Sequence, residues 1–344
     1  MKHRYLFPCI LLTLQLLPSV NAQTADQQLE KFFAAHLEAC FQQRPLDATL
    51  LGDHRFDAQL DDISAAARSG WLEHYRVQLR RLEAEIPKDQ LSRDAQIDYE
   101  ILRDDLARNI WLMEHTRPFE EDPRTYGAWI SDSVYSLLVQ STLPREVNIR
   151  NAIARMQQIP RIVRTAWQTL RESPPSILET AILQNRGAIG FYEQGIYELI
   201  QGSDQTEAVR TAAQPVLEVL REHQAWLEDS RRLRAGGDWR LGRELFAQKL
   251  EHTLNAGVTA DQVLADAERE YERVQNELYL VARQLWASRF PGKVLPPDDE
   301  AGRRETVRLV IASVSQEHGA PETLVADARA GVEKIRSFIR DRDI

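Results

Sequence analysis

The stretch Leu50–Asp62, LLGDHRFDAQLDD, gathers Asp53, His54, Asp57, Asp61 and Asp62 within a short span. Carboxylates beside an imidazole are the groups that hold a hard cation or move protons at a bound substrate. The spacing does not suit the first use. A calcium loop of the EF-hand type places ligands at alternate positions and closes with Glu, whereas Asp53, Asp57 and Asp61 are four apart. On a helix they would form a repelling row. The stretch is therefore expected to be a solvated turn, its Asp side chains bonding local amides and capping a helix that starts at Ser64. As solvated groups they would matter little to stability, and Asp61→Asn would cost no more than ~0.5 kcal/mol.

The other chemistry-bearing residues are scattered. A zinc-protease helix carries two His at i and i+4 with Glu between them as base. The histidines beyond the first residues are His36, His54, His74, His115, His223, His252 and His318, and no two have that spacing. RGAIG (186–190) lacks the lysine and preceding strand of a phosphate loop, and no G-x-S-x-G elbow is present. Carboxylate pairs carry no information among 52 acidic residues. Cys40 falls in helical step with Leu29, Phe33 and Leu37, which points to a buried, inert thiol. No catalytic, cofactor-binding or metal-ligating residue is assigned from the sequence, and no bound zinc is expected.

The elements that would position such residues are helices. Pro45 ends the first or begins a short second one. Trp71, Tyr75, Leu79, Leu82 and Ile86 recur at steps of four and three before Pro87, and Ser92 caps a helix carrying Ile97, Ile101 and Leu102 toward Trp111. Residues 116–133, rich in Pro, Asp and Gly, read as a long loop. Helix resumes at Pro144, bends at Pro160 and breaks at RESPPS. Gly187, Gly190 and Gly195 then mark either a close backbone approach or a kink. Gly257 suits a left-handed helix end, and Thr259 with Gln262 forms a capping box stapled by Val258 and Val263, so an antiparallel hairpin is expected there. Two more helices follow the loop FPGKVLPPDDE, separated by EHGAPE. With no alternating strand pattern and no fixed repeat, the fold class is all-α, an irregular bundle of long antiparallel helices.

The first 22 residues stand apart. Lys2, His3 and Arg4 precede a leucine-rich run that ends in Val20-Asn21-Ala22, the pattern of a cleaved secretory signal peptide. The run is short and broken by Pro8, Gln15 and Pro18, unlike a spanning helix. Loss of Lys2 and Arg4 takes the net charge from −9 to −11, which gives no footing for nucleic acid or an anionic membrane. It also leaves Cys40 as the single cysteine, so no internal disulfide is expected in a periplasmic or secreted chain.

Four segments, in order, resemble a family of bacterial proteins classed as domain of unknown function 885. They are FFAAHLEACFQQRPLDATLLGDHRFDAQLDD, LSRDAQIDYEILRDDL, IPRIVRTAWQTL with the later ETAI, and GRELFAQKLEHTLNAGVTADQVLADAERE. The resemblance implies an all-helical, exported, zinc-metallopeptidase-like hydrolase acting on peptides. In that family the histidine–glutamate zinc motif and a later glutamate ligand lie in the second half of a longer chain. Residues 23–344 resemble only the N-terminal helical region, and FIRDRDI resembles the passage toward the catalytic half. The expectation is a chain inactive alone, with zinc belonging to the other half. Its partner would be that half or a peptide, met along an exposed apolar surface around Val310, Val314, Val332 and Ile339. The alternative is a self-sufficient exported helical binding or scaffold protein without catalytic activity.

Overall fold

The computed structural model describes residues 24–229 and 234–343, and the expected signal peptide lies outside them. Among the described residues the chain is all-α, as expected, with one minimal strand pair. The described residues form two compact units, the first ending at Thr253 and the second beginning at Leu254.

The first unit opens with α1 (Ala25–Gln43), and Pro45 sits at the first position of α2 (Pro45–Leu50), its fixed φ starting the new helix. Ser64 caps α3 (Ala65–Glu85) and Ser92 caps α4 (Arg93–His115), each hydroxyl accepting the amide three residues on. These helices share a core of Leu29, Phe32, Tyr75, Leu82, Tyr99 and Leu106. The stripe on α1 differs from the expected one: Phe32 and His36 face inward, while Leu37 is exposed. On α4, likewise, Ile97 and Ile101 face out and Tyr99 and Leu102 face in.

The expected loop at 116–133 is helical instead. It contains α5 (Pro118–Glu121), a 3₁₀ turn (Pro123–Tyr126) and a π turn (Ala128–Asp132) that runs into α6 (Ser133–Val139). Pro118 and Pro123 each stand in the first turn of a short helix, where a missing N–H costs nothing, so the residues that read as breakers act as starters. Tertiary burial of Tyr126, Trp129 and Ile130 holds the segment. Next come α7 (Arg145–Met156) and α8 (Ile159–Thr169), with Pro160 in the first turn of α8. β1 (Glu172–Ser173) follows, then α9 (Pro175–Gly190), a second π turn (Phe191–Gly195), α10 (Ile196–Leu199) and α11 (Thr206–Glu228). β1 pairs in parallel with β2 (Arg234–Ala235), Glu172 beside Arg234 and Ser173 beside Ala235. α7, α8 and α9 all pack on α11 around Ile149, Ile162, Val216 and Leu220. α12 (Arg243–Leu254) is tied to α4 by the Trp111 indole, whose N–H donates to Gln248 Oε1 at 2.8 Å.

The second unit holds α13 (Ala260–Arg289), α14 (Glu300–Val314) and α15 (Leu324–Arg342). Gly257 takes a left-handed φ of 64°, and Thr259 and Gln262 form the full capping box of α13. Thr259→Ala removes the acceptor of that box and is expected to cost about 1 kcal/mol, read as a lower urea midpoint for this unit. Within this unit α13 packs on α14, beyond the 290–299 loop. Trp286, Ala282 and Val310 form their core. Val310 is thus 4% exposed rather than part of an open stripe, because it closes over Trp286. Val314, Val332 and Ile339 are exposed as expected, together with Val325, Ile335 and Phe338, and α15 buries no side chain.

Candidate functional site

The two π turns frame a recess of the first unit. Each π turn carries one extra residue in its backbone ring, which rotates the following side chains relative to a regular helix, a feature frequent at functional sites. The Tyr192 hydroxyl donates to Ile130 O and so ties one π turn to the other in a fully buried contact. Between them lies a cleft of about 330 Å³, walled by Gly127, Ser131 and Asp132 on one side, Gln184, Gly187 and Phe191 on another, and floored by His223 of α11. Gly187 and Gly190 do not admit a close backbone neighbour, since a Cβ at either would meet nothing within 4 Å. At Gly187 the missing side chain keeps the cleft wall open.

The polar groups of the floor are committed to the fold. The Trp167 indole donates to His223 Nδ1 at 2.9 Å, and Asn185 Nδ2 donates to Leu220 O at 3.0 Å and Gln224 Oε1 at 2.8 Å. Burial pulls the His223 imidazole down to about 4, so it is neutral at physiological pH.

Two carboxylates of the Asp-rich stretch are not solvated, while Asp62 is exposed as expected. Asp57 is 1% and Asp61 2% exposed. Asp57 accepts from Thr49 Oγ1 at 2.6 Å, and its other oxygen lies 2.8 Å from His54 Nδ1. Asp61 accepts the Leu46 amide at 3.0 Å, and burial raises its carboxyl above the usual range. Asp62 bonds the Ser64 amide at 2.9 Å, which is the local role expected of the cluster. Buried alongside Asp57 and Asp61 is Arg155 of α7, itself 0% exposed. Its guanidinium donates to Gln59 O at 3.1 Å, Ser133 O at 2.8 Å and Thr49 Oγ1. Burial lowers it to about 10, opposed by the charges of Asp57 and Asp61, so it stays cationic at neutral pH. The turn is a charge-compensated clamp that docks α2 onto α6 and α7. Its carboxylate oxygens face N–H and O–H donors of the chain itself.

A third group was missed in the sequence. His36 and Cys40 on α1 and His74 on α3 bring three donor atoms within 4.8 Å of one another. The imidazoles of His36 and His74 stack with centroids 5.5 Å apart. Burial lowers both below the usual histidine range, and burial pushes the Cys40 thiol up to about 11. The available signal was the i, i+4 pair His36/Cys40, which sets two soft donors on one helix face.

The family described as "Bacterial protein of unknown function (DUF885)" matches residues 45–343. A solved structure from Shewanella oneidensis, provisionally described as a lipoprotein of unknown function, superposes with a TM-score of 0.70 at 22% identity. That match covers 92% of this chain and 58% of the other, so the chain spans a little over half the length of that relative. No curated protein matches. The fold is shared over nearly the whole chain, and with a family match across residues 45–343 the protein belongs to the bacterial DUF885 family.

Proposed function

We propose that this chain is the helical, non-catalytic portion of an exported peptidase-like hydrolase, with the cleft between the π turns receiving a peptide side chain. The observation that carries this reading is α15. It buries none of its side chains and exposes Val325, Val332, Ile335, Phe338 and Ile339, in a chain that spans 58% of its solved relative. Apolar surface of that extent is what a helix shows when its complement is elsewhere. A complementary segment, corresponding to the length of the relative that this chain does not span, would cover it.

Export is supported by the basic start, the leucine-rich run and the small residues before Gln23. The Shewanella protein's description as a lipoprotein is consistent with the same compartment. No helix among the described residues is long and apolar enough to cross a membrane. No pair of histidines in this chain brackets a Glu at the spacing of a zinc-protease helix, and on this reading zinc chemistry would fall to the complementary segment.

The test is association. The chain from residue 23 onward is expected to bind a hydrophobic dye and to self-associate. Co-expression with the C-terminal half of a family member is expected to reduce both and to yield a co-purifying pair. A monodisperse, dye-silent chain with one sharp unfolding transition would sink this reading. The second reading, an exported helical binding protein without catalysis, would then lead, favoured by the preformed cleft of about 330 Å³.

A further inference from the structure

Outside the cleft, the cluster on α1 and α3 has the composition of a soft-metal site. Its donors come from two helices that share a core, so their positions are fixed by packing. His36 Nε2 lies 3.5 Å from Cys40 Sγ, and all three donors fall within 4.8 Å. Trigonal coordination with bonds of about 2.0–2.3 Å places donors roughly 3.5–4 Å apart, and the first pair has that separation; Sγ also stands 3.9 Å from His36 Nδ1, so a turn of the imidazole is needed to aim one nitrogen's lone pair at a shared ion. His74 stacks nearly parallel on His36, so its ring must also rotate about its side-chain bonds to bring its lone pair onto the same ion. His74 Nε2 is also buried with no hydrogen-bond partner. An unpaired polar atom in that position is costly, and a metal bond would satisfy it.

We propose that His36, Cys40 and His74 bind one Cu(I) ion in a three-coordinate site. Thiolate and imidazole are donors that Cu(I) accepts readily, and the Cys2His2-type zinc alternatives call for a fourth ligand. The nearby carboxylates are engaged elsewhere. Asp105 accepts from Arg108 and from Asn109 Nδ2 at 2.9 Å, and Asp47 pairs with Arg44 at 2.5 Å. Charge points the same way. Binding releases the Cys40 proton to solvent as the S–Cu bond forms, with no change of oxidation state. One thiolate and one monovalent cation then leave the half-buried site neutral, whereas a divalent ion would add a net positive charge beside Arg44.

The reduced chain from residue 23 onward can be titrated anaerobically with Cu(I) against a chromophoric Cu(I) chelator, and with Zn(II) in parallel. One equivalent of Cu(I) is expected to be retained, with an X-ray absorption shell of one sulfur and two imidazole nitrogens. Cys40→Ser and His74→Gln are each expected to weaken retention about 100-fold or more, with far-UV circular dichroism unchanged. Failure of the unsubstituted chain to compete for Cu(I), retention that neither variant reduces, or a shell without sulfur would overturn the site. Retention of one equivalent of Zn(II) with loss of Cu(I) would overturn the copper assignment.

Discussion

Replacing Arg155 with methionine is expected to destabilise the first unit by about 3–5 kcal/mol. The side chain is fully buried and its guanidinium serves Gln59 O, Ser133 O and Thr49 Oγ1. Methionine fills the volume but withdraws every donor, stranding buried acceptors. It also removes the positive charge that Asp57 and Asp61 face across the clamp. Lysine should fail nearly as badly, because one ammonium cannot reach three acceptors that a planar fork spans. Urea denaturation would read the effect as a lower midpoint with an unchanged slope. Combining Arg155→Met with Asp57→Asn should cost less than the sum of the two, since Asp57→Asn removes a charge left uncompensated. A loss below ~1 kcal/mol for Arg155→Met would mean that water or repacking replaces the clamp.

That clamp also shows where sequence reading stops. The residues 50–62 stood out by type, but their burial depends on partners about a hundred positions away: the Leu60 amide donates to Gln158 Oε1, and Arg155 reaches Gln59. No local pattern encodes such a contact, so a solvated turn was the natural expectation and it is wrong for Asp57 and Asp61. Features set by neighbours within a few residues were legible. Ser92 and Thr259 cap where they should, Pro45 starts a helix, and Gly257 turns left-handed. The segment 116–133 was misread because proline has two meanings, breaker inside a helix and starter at its first turn, and only packing of Tyr126 and Trp129 decides between them. Of the three glycines, Gly187 and Gly190 end α9 and Gly195 ends the π turn that follows; Gly187 lines the cleft as an open wall and not through close packing. The metal cluster was half legible, since His36 and Cys40 share a face, but His74 joins them only through the packing of α1 on α3.

Stability should fall as the medium is acidified from pH 6.5 toward 4, and His223 should carry about 3 kcal/mol of that fall. Burial sets its folded value at about 4, against 6.5 for an ordinary histidine. The unfolded chain therefore takes up the proton first. Above pH 6.5 neither state is protonated and His223 contributes no pH dependence. Below it the unfolded state gains by about 1.4 kcal/mol per unit until the folded group titrates near 4. The structural reason is direct: Nδ1 accepts the Trp167 N–H, so a proton arriving there would break that bond and place a charge among apolar side chains at the floor of the cleft. Asp61 acts in the opposite sense, because its raised carboxyl takes a proton earlier in the folded state and so gains stability as pH falls. Comparison with His223→Asn separates the two, since asparagine presents an acceptor near the Nδ1 position and does not titrate. Between pH 6.5 and 5 the unsubstituted chain should lose about 2 kcal/mol more than the variant. Parallel losses would place the pH response elsewhere, in His36 and His74 or in the carboxylates, and would show that protonated His223 is accommodated in the fold.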